Sequence, residues 1–139
     1  MAQGVSTDVA GVSDLQKLHA VLSSSSDRAA VLASVDKERV RQLLKWGPQT
    51  HPDFLPHEQG AELDRAKWAE QAAYYKQVND FRVAQGLPAI WAFVLLEELF
   101  EALESDAGSV ELETELVETA AVCAAWVEDI RSRRARHQD

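Results

Sequence analysis

Apolar residues recur at helical spacing along most of this chain, and the breaks between the recurring stretches mark off four substantial helices. A first, short helix is predicted from Asp14 to about Leu22, ahead of the serine run 23–26. A second starts near Asp27 or Asp36, both acceptable N-caps, and runs to Trp46, where Gly47 and Pro48 stop it. Residues 48–60, "PQTHPDFLPHEQG", hold three of the four prolines and read as a structured loop. Ala61 to about Gln85 is a long amphipathic helix with Leu63, Ala66, Ala73, Val78 and Phe81 among its apolar positions, ended by Gly86. Pro88 suits a first helical turn, so the next helix is expected over Pro88–Glu104. "SDAGS" (105–109) follows as a tight link, with Gly108 as the turn residue and Ser109 as the N-cap of a last helix, Val110 to about Arg133.

These segments predict an all-α fold, an antiparallel bundle of four to five helices. The scarcity of β-branched runs, glycine and proline agrees with it. The divisions expected are a tail with a possible short helix over 1–26, one helical domain over 27–135 and a frayed end over 136–139. Residues 120–127 carry no charge, so the middle of the last helix is expected to be buried all round, with Cys123 as a small hydrophobe inside it.

Charge narrows the partners. A net charge of −9 lacks the basic footprint that a nucleic-acid backbone requires. A small anionic ligand stays compatible, provided a cation bridges it to the acidic surface. No apolar run approaches the ~20 residues that span a bilayer, and the first residues lack the basic-then-apolar order of a signal peptide. With a single cysteine, these features lead to the expectation of a cytoplasmic protein without a membrane partner.

The acidic residues are not spread as a solvated stripe. Glu97, Glu98, Glu101 and Glu104 close an otherwise apolar segment, and Glu97, Glu101 and Glu104 share the side that Ile90, Phe93 and Val94 begin. The last helix repeats the device: Glu111, Glu115 and Glu118 form a stripe that Val122 and Ala125 prolong. The short link makes the two helices antiparallel neighbours, so Glu98 and Glu101 can face Glu115 and Glu118. Converging carboxylates repel one another unless some are protonated or a cation neutralises them. Oxygen-only ligands suit Mg²⁺ or Mn²⁺. Neither segment contains the Glu-x-x-His of a di-iron bundle. No Gly-rich phosphate loop, zinc spacing or serine or cysteine triad is present, and Cys123 has no basic sequence neighbour to activate it.

Two stretches carry a resemblance. "ERVRQLLKWGPQTHPD" (38–53) and "WAFVLLEELFEALESD…LETELVETAAVCAAWVEDI" (91–130) resemble MazG-like all-α nucleoside triphosphate pyrophosphohydrolases of actinobacterial and phage type. Glu97-Glu98-Leu99-Phe100-Glu101 matches the family's EExxE in full. Glu115-Leu116-Val117-Glu118 matches its ExxD except at the last position, where Glu118 stands for Asp. The resemblance covers roughly residues 36–131. It implies Mg²⁺-dependent hydrolysis of a nucleoside triphosphate to a monophosphate and pyrophosphate, with Mn²⁺ as an alternative ion, by a homodimer or homotetramer. By the same resemblance Glu98, Glu101, Glu115 and Glu118 hold the metal, and Glu97 assists the metal site or orients the attacking water. Lys45, Lys76, Arg82 and Arg131 are candidates to neutralise phosphate oxygens. Trp46 can stack on a base or belong to the core, and Gln49 can pair with a base edge or cap its loop. The alternative function is a catalytically silent member of the same fold, acting as a nucleotide-binding or protein-interaction module.

Overall fold

Five α-helices and one short 3₁₀ turn make up the regular structure of the computed structural model, which describes residues 9–23 and 25–138. They are α1 (Val9–Ser23), α2 (Ser25–Trp46), the turn His57–Gln59, α3 (Ala61–Ala84), α4 (Trp91–Leu103) and α5 (Val110–Arg136). The expected all-helical class holds among the described residues. Of the expected tail over 1–26, residues 1–8 and 24 lie outside them; the rest is helical, α1 starting at Val9 rather than Asp14 and α2 at Ser25 rather than near Asp27 or Asp36.

The breaks after α2 and before α5 fall where the sequence puts them, with the predicted chemistry. Gly47 and Gly108 adopt φ values of 69° and 66°, the left-handed region that β-carbon-bearing residues avoid, and they end α2 and turn the chain into α5. Ser109 Oγ accepts the Leu112 amide at 3.0 Å and caps α5. The last helix runs on to Arg136 rather than stopping near Arg133, with Arg133, Arg134 and Arg136 in a final turn whose carbonyl dipoles favour positive charge.

The start of α4 departs from the prediction. Pro88 does not open the helix; the chain stays extended through Ile90 (φ −102°, ψ 125°) and α4 begins at Trp91. Asn79, a buried polar residue of α3, is responsible. Its Oδ1 accepts the Ile90 amide at 2.9 Å and its Nδ2 donates to the Ile90 carbonyl at 3.4 Å. Arg82 Nε also donates to the Pro88 carbonyl at 3.1 Å. The link is therefore held by α3 side chains instead of by helical hydrogen bonds.

Packing runs as a row. α3 lies along α4, α4 along α5, α5 against α2, and α2 against α1. Aromatic contacts mark the seams. Tyr75 of α3 meets Phe93 and Phe100 of α4, with ring centroids 5.6 and 6.1 Å apart. Trp91 of α4 stacks on Trp126 of α5 at 6.3 Å, and the Trp91 indole donates to Asp129 at 2.9 Å. Two bonds secure the α4–α5 link from outside: the Gly108 amide donates to Asp53 at 2.6 Å, and Arg65 pairs with Asp106 at 2.8 Å.

One expectation about the core is overturned. The middle of α5 is not buried all round, and Cys123 is exposed, as are Ala120 and Ala121. α4 covers one side of α5 and α2 touches another, near Val31, Val127 and Arg131, so the side between them faces outward. Among the described residues the fully buried apolar side chains are Val31, Ala72, Ala102 and Leu112.

Candidate metal centre

The α4–α5 hairpin brings the two acidic motifs face to face. Glu98 and Glu101 lie one turn apart on α4, and Glu115 lies on the second turn of α5. Each offers a carboxylate oxygen within 4.8 Å of the others. The place of Glu115 is fixed by the Ser109 cap and the Gly108 turn, so the link that makes the hairpin also sets which glutamates meet.

Electrostatics make this cluster unlike a wet acidic surface. Oε2 of Glu98 and Oε2 of Glu115 are buried without a hydrogen-bond partner. Burial pushes the Glu98 carboxyl above its usual range, with the charges of Glu118, Glu97 and Glu115 adding to the shift and Lys76 opposing it. Glu101 is raised in the same way, by burial first and then by Glu98, Glu97 and Glu115, again against Lys76. Glu115 is raised by burial and by Glu118, through both charge and a hydrogen bond, with Glu104 and Glu111 contributing. Burial and the neighbouring carboxylates disfavour the charged form of each, which is the state a divalent cation would stabilise.

Geometry and donor type fit a hard divalent ion. Mg²⁺ holds oxygens at about 2.1 Å, which sets neighbouring ligand oxygens about 3 Å apart and opposite ones about 4.2 Å apart. A 4.8 Å spread contracts to that by side-chain rotation within existing helices. Below the three glutamates the hairpin opens into an acidic cleft of about 470 Å³ lined by Glu101, Glu104, Ser105, Glu111 and Glu115. Its width accommodates an anion carried by a metal. Glu104 and Glu111 line this cleft as continuations, toward the link, of the acidic stripes that helical spacing assigns to the two helices.

The other sequence candidates are distributed unevenly. Glu97 is largely buried and pairs with Lys76 Nζ at 3.7 Å, so Lys76 is the cation brought to the cluster. Glu118 is exposed and lies outside the three-carboxylate group, although its charge reaches Glu98 and Glu115. Arg82 is occupied with the Pro88 carbonyl and lines an aromatic hollow with Tyr74, Phe81 and Phe93. Arg131 donates to Ser34 at 3.0 Å on the α2 side of α5. Lys45 sits over the ring of its neighbour Trp46, 4.8 Å from the centroid, with both exposed at the end of α2. Gln49 is exposed in the following loop, which Asp53 anchors to the hairpin link through Gly108.

No helix among the described residues is long and apolar enough to cross a membrane. Comparison with protein-family models, curated proteins and solved structures finds no match to this chain.

Proposed function

We propose that this protein is a Mg²⁺-dependent nucleoside triphosphate pyrophosphohydrolase, cytoplasmic and assembled as a homodimer or homotetramer. The reading rests on one observation: three carboxylates from facing helices offer oxygens within 4.8 Å, and two of those carboxylates keep a buried oxygen with no partner. Groups so placed cost free energy unless something binds them. The full match to EExxE and the partial match to ExxD, with Glu118 in place of Asp, supply the choice of reaction.

In this reading Glu98, Glu101 and Glu115 hold Mg²⁺, with Glu118 approaching from the rim. Bound there, Mg²⁺ would neutralise charge on the triphosphate and lower the pKa of a water, the nucleophile that attack on phosphorus requires. Glu97 accepts a proton or hydrogen bond from that water, and its pairing with Lys76 holds the carboxylate in place. Lys76 also supplies positive charge beside phosphate oxygens. The chain contributes positioning and charge neutralisation, which phosphoryl chemistry mostly requires.

The test is release of pyrophosphate, as distinct from phosphate, from a panel of ribo- and deoxyribonucleoside triphosphates, with Mg²⁺, with Mn²⁺ and with EDTA. Metal-dependent pyrophosphate from any member supports the proposal. A panel that is silent with both metals overturns it. The exposure of Glu118, at the position where the resembled family carries Asp, favours a second reading, a catalytically silent nucleotide-binding member. Metal-dependent nucleotide binding without turnover would select it.

A further inference from the structure

Two guanidiniums open onto one recess between α2 and α5. Arg39 and Arg131 line it with Ser34, Glu38 and Gln42, around a volume of about 320 Å³. Each is oriented by a neutral acceptor: Arg131 Nη2 donates to Ser34 Oγ at 3.0 Å, and Arg39 Nη1 to Gln42 Oε1 at 2.6 Å. Neither forms an ion pair with a carboxylate among the described residues. Glu38, the acid lining the recess, is already held by Arg41, which donates to both of its oxygens at 2.8 and 2.6 Å. The recess therefore carries surplus positive charge in a molecule of net charge −9.

Its apolar side, Val31, Val35 and Val127, is shared with a groove of about 460 Å³ that follows α5 past Ala124 and Ala121 to Val117. Leu32 of α2 forms the opposite wall and is 53% exposed, and residues 120–127 carry no charge. We propose that this face binds an amphiphilic anion, with a single apolar chain in the groove and an oxyanion head between Arg39 and Arg131.

The two halves of the site call for the two halves of such a ligand. A guanidinium offers paired donors that match a carboxylate or a phosphate monoester, and bonds to an ionised acceptor are about twice as strong as those to a hydroxyl or amide. An uncharged apolar molecule would leave both arginines with neutral partners only, and a bare anion would leave the groove wet. From Val127 back to Val117 the groove is roughly 15 Å long at 1.5 Å per residue, the length of about ten extended methylenes. Small side chains at 120, 121 and 124 give the chain its width. Arg131 lies about 24 Å along α5 from Glu115, so the site is separate from the acidic hairpin and does not rest on nucleotide chemistry.

Titration of the chain in EDTA with decanoate, decyl phosphate and decanol, followed through its amide resonances, tests the proposal. At least one of the two anions should bind with a dissociation constant of about 0.1 mM or tighter. It should shift the amides of Val31, Val35, Ala121 and Val127 and leave those of Glu98 and Glu101 in place; the tighter anion names the head. Decanol should bind at least ~10-fold more weakly. Arg39→Gln, which loses only a contact within its own helix, should weaken the better anion by at least ~10-fold and leave decanol unaltered. Ala121→Glu should block the chain and weaken all three. Lys67→Gln, the same loss of charge on an exposed position of α3, should change nothing. Neither anion binding at ~1 mM, shifts confined to other elements, or decanol binding as tightly as both anions would overturn the proposal. So would a loss in Lys67→Gln equal to that in Arg39→Gln.

Discussion

A carboxylate oxygen that is buried and unpartnered, as in Glu98 and Glu115, makes the single residue the natural place to test the chemistry. Glu101→Gln removes a charged ligand at nearly constant shape and should lower turnover by at least ~100-fold. Glu104→Gln lies one turn further out, in the wall of the cleft, and should change turnover far less. Equal losses in the two variants would remove Glu101 from the metal site. Glu118 poses the opposite question. Glu118→Asp restores the residue usual in the resembled family and should stay active, with its Mg²⁺ to Mn²⁺ preference altered, whereas full activity in Glu118→Ala would show that this position holds no metal. The spacing in "EELFE" and "ELVE" is enough to place Glu98, Glu101 and Glu115 on facing turns. It does not separate Glu115 from Glu118, because both fall on the same stripe and their difference in burial appears only once α5 is packed on α4. Nor does sequence distinguish Lys76 from Lys45, Arg82 and Arg131, since each lies near a helix end and what selects Lys76 is its contact with Glu97 across the α3–α4 seam.

At the level of elements, α4 is held at its entrance by Asn79, whose amide takes both polar groups of Ile90. Asn79→Ala would leave the part-buried Ile90 amide without its partner, while the carbonyl keeps the Phe93 and Val94 amides, and should cost about 1–3 kcal/mol in denaturant unfolding. Because α4 carries Glu97, Glu98 and Glu101, the same variant should lower turnover in the fraction that remains folded. A stability unchanged within 0.5 kcal/mol would show that the link holds itself. This contact also explains why the start of α4 was not legible in sequence. A proline three residues before an apolar run reads as a helix opening, and the competing bonds come from a residue eleven positions back. Gly108 and Ser109 read correctly because turn and cap are local devices, complete within a few residues. Cys123 misled for a third reason. An uncharged stretch is apolar on every side of its helix, and that pattern does not say which sides the neighbouring helices cover.

For the molecule as a whole, the raised carboxyls of Glu98, Glu101 and Glu115 link stability to pH and to metal. Their folded pKa values lie above the ordinary 4.5, so folding favours the protonated forms. The resulting penalty is absent below that value and fully present once pH exceeds the raised ones. Metal-free protein should therefore melt at a higher temperature near pH 5 than at pH 7.5. Excess Mg²⁺ should narrow the gap by stabilising the charged forms at the higher pH, by about 2.7 kcal/mol at 100 times its dissociation constant. Glu38, drawn downward by its hydrogen bond to Arg41, works in the opposite sense, but both are exposed and screened. Glu98→Gln should raise the metal-free melting temperature while gaining little from Mg²⁺. Four identical melts, parent and variant with EDTA and with Mg²⁺, would mean that these glutamates form a wet surface. The seam between α4 and α5 also gives the molecule an optical signature. The Trp91 and Trp126 rings have centroids 6.3 Å apart and planes within 8° of parallel, so coupling of their intense far-ultraviolet transitions is expected to give paired dichroic bands of opposite sign. Trp126→Phe should abolish the couplet, leaving the uncoupled indoles of Trp46, Trp68 and Trp91. Since those rings hold together the two helices that carry the glutamates, the couplet's amplitude during a stopped-flow mix with Mg²⁺ would time any adjustment of the hairpin, with no label attached.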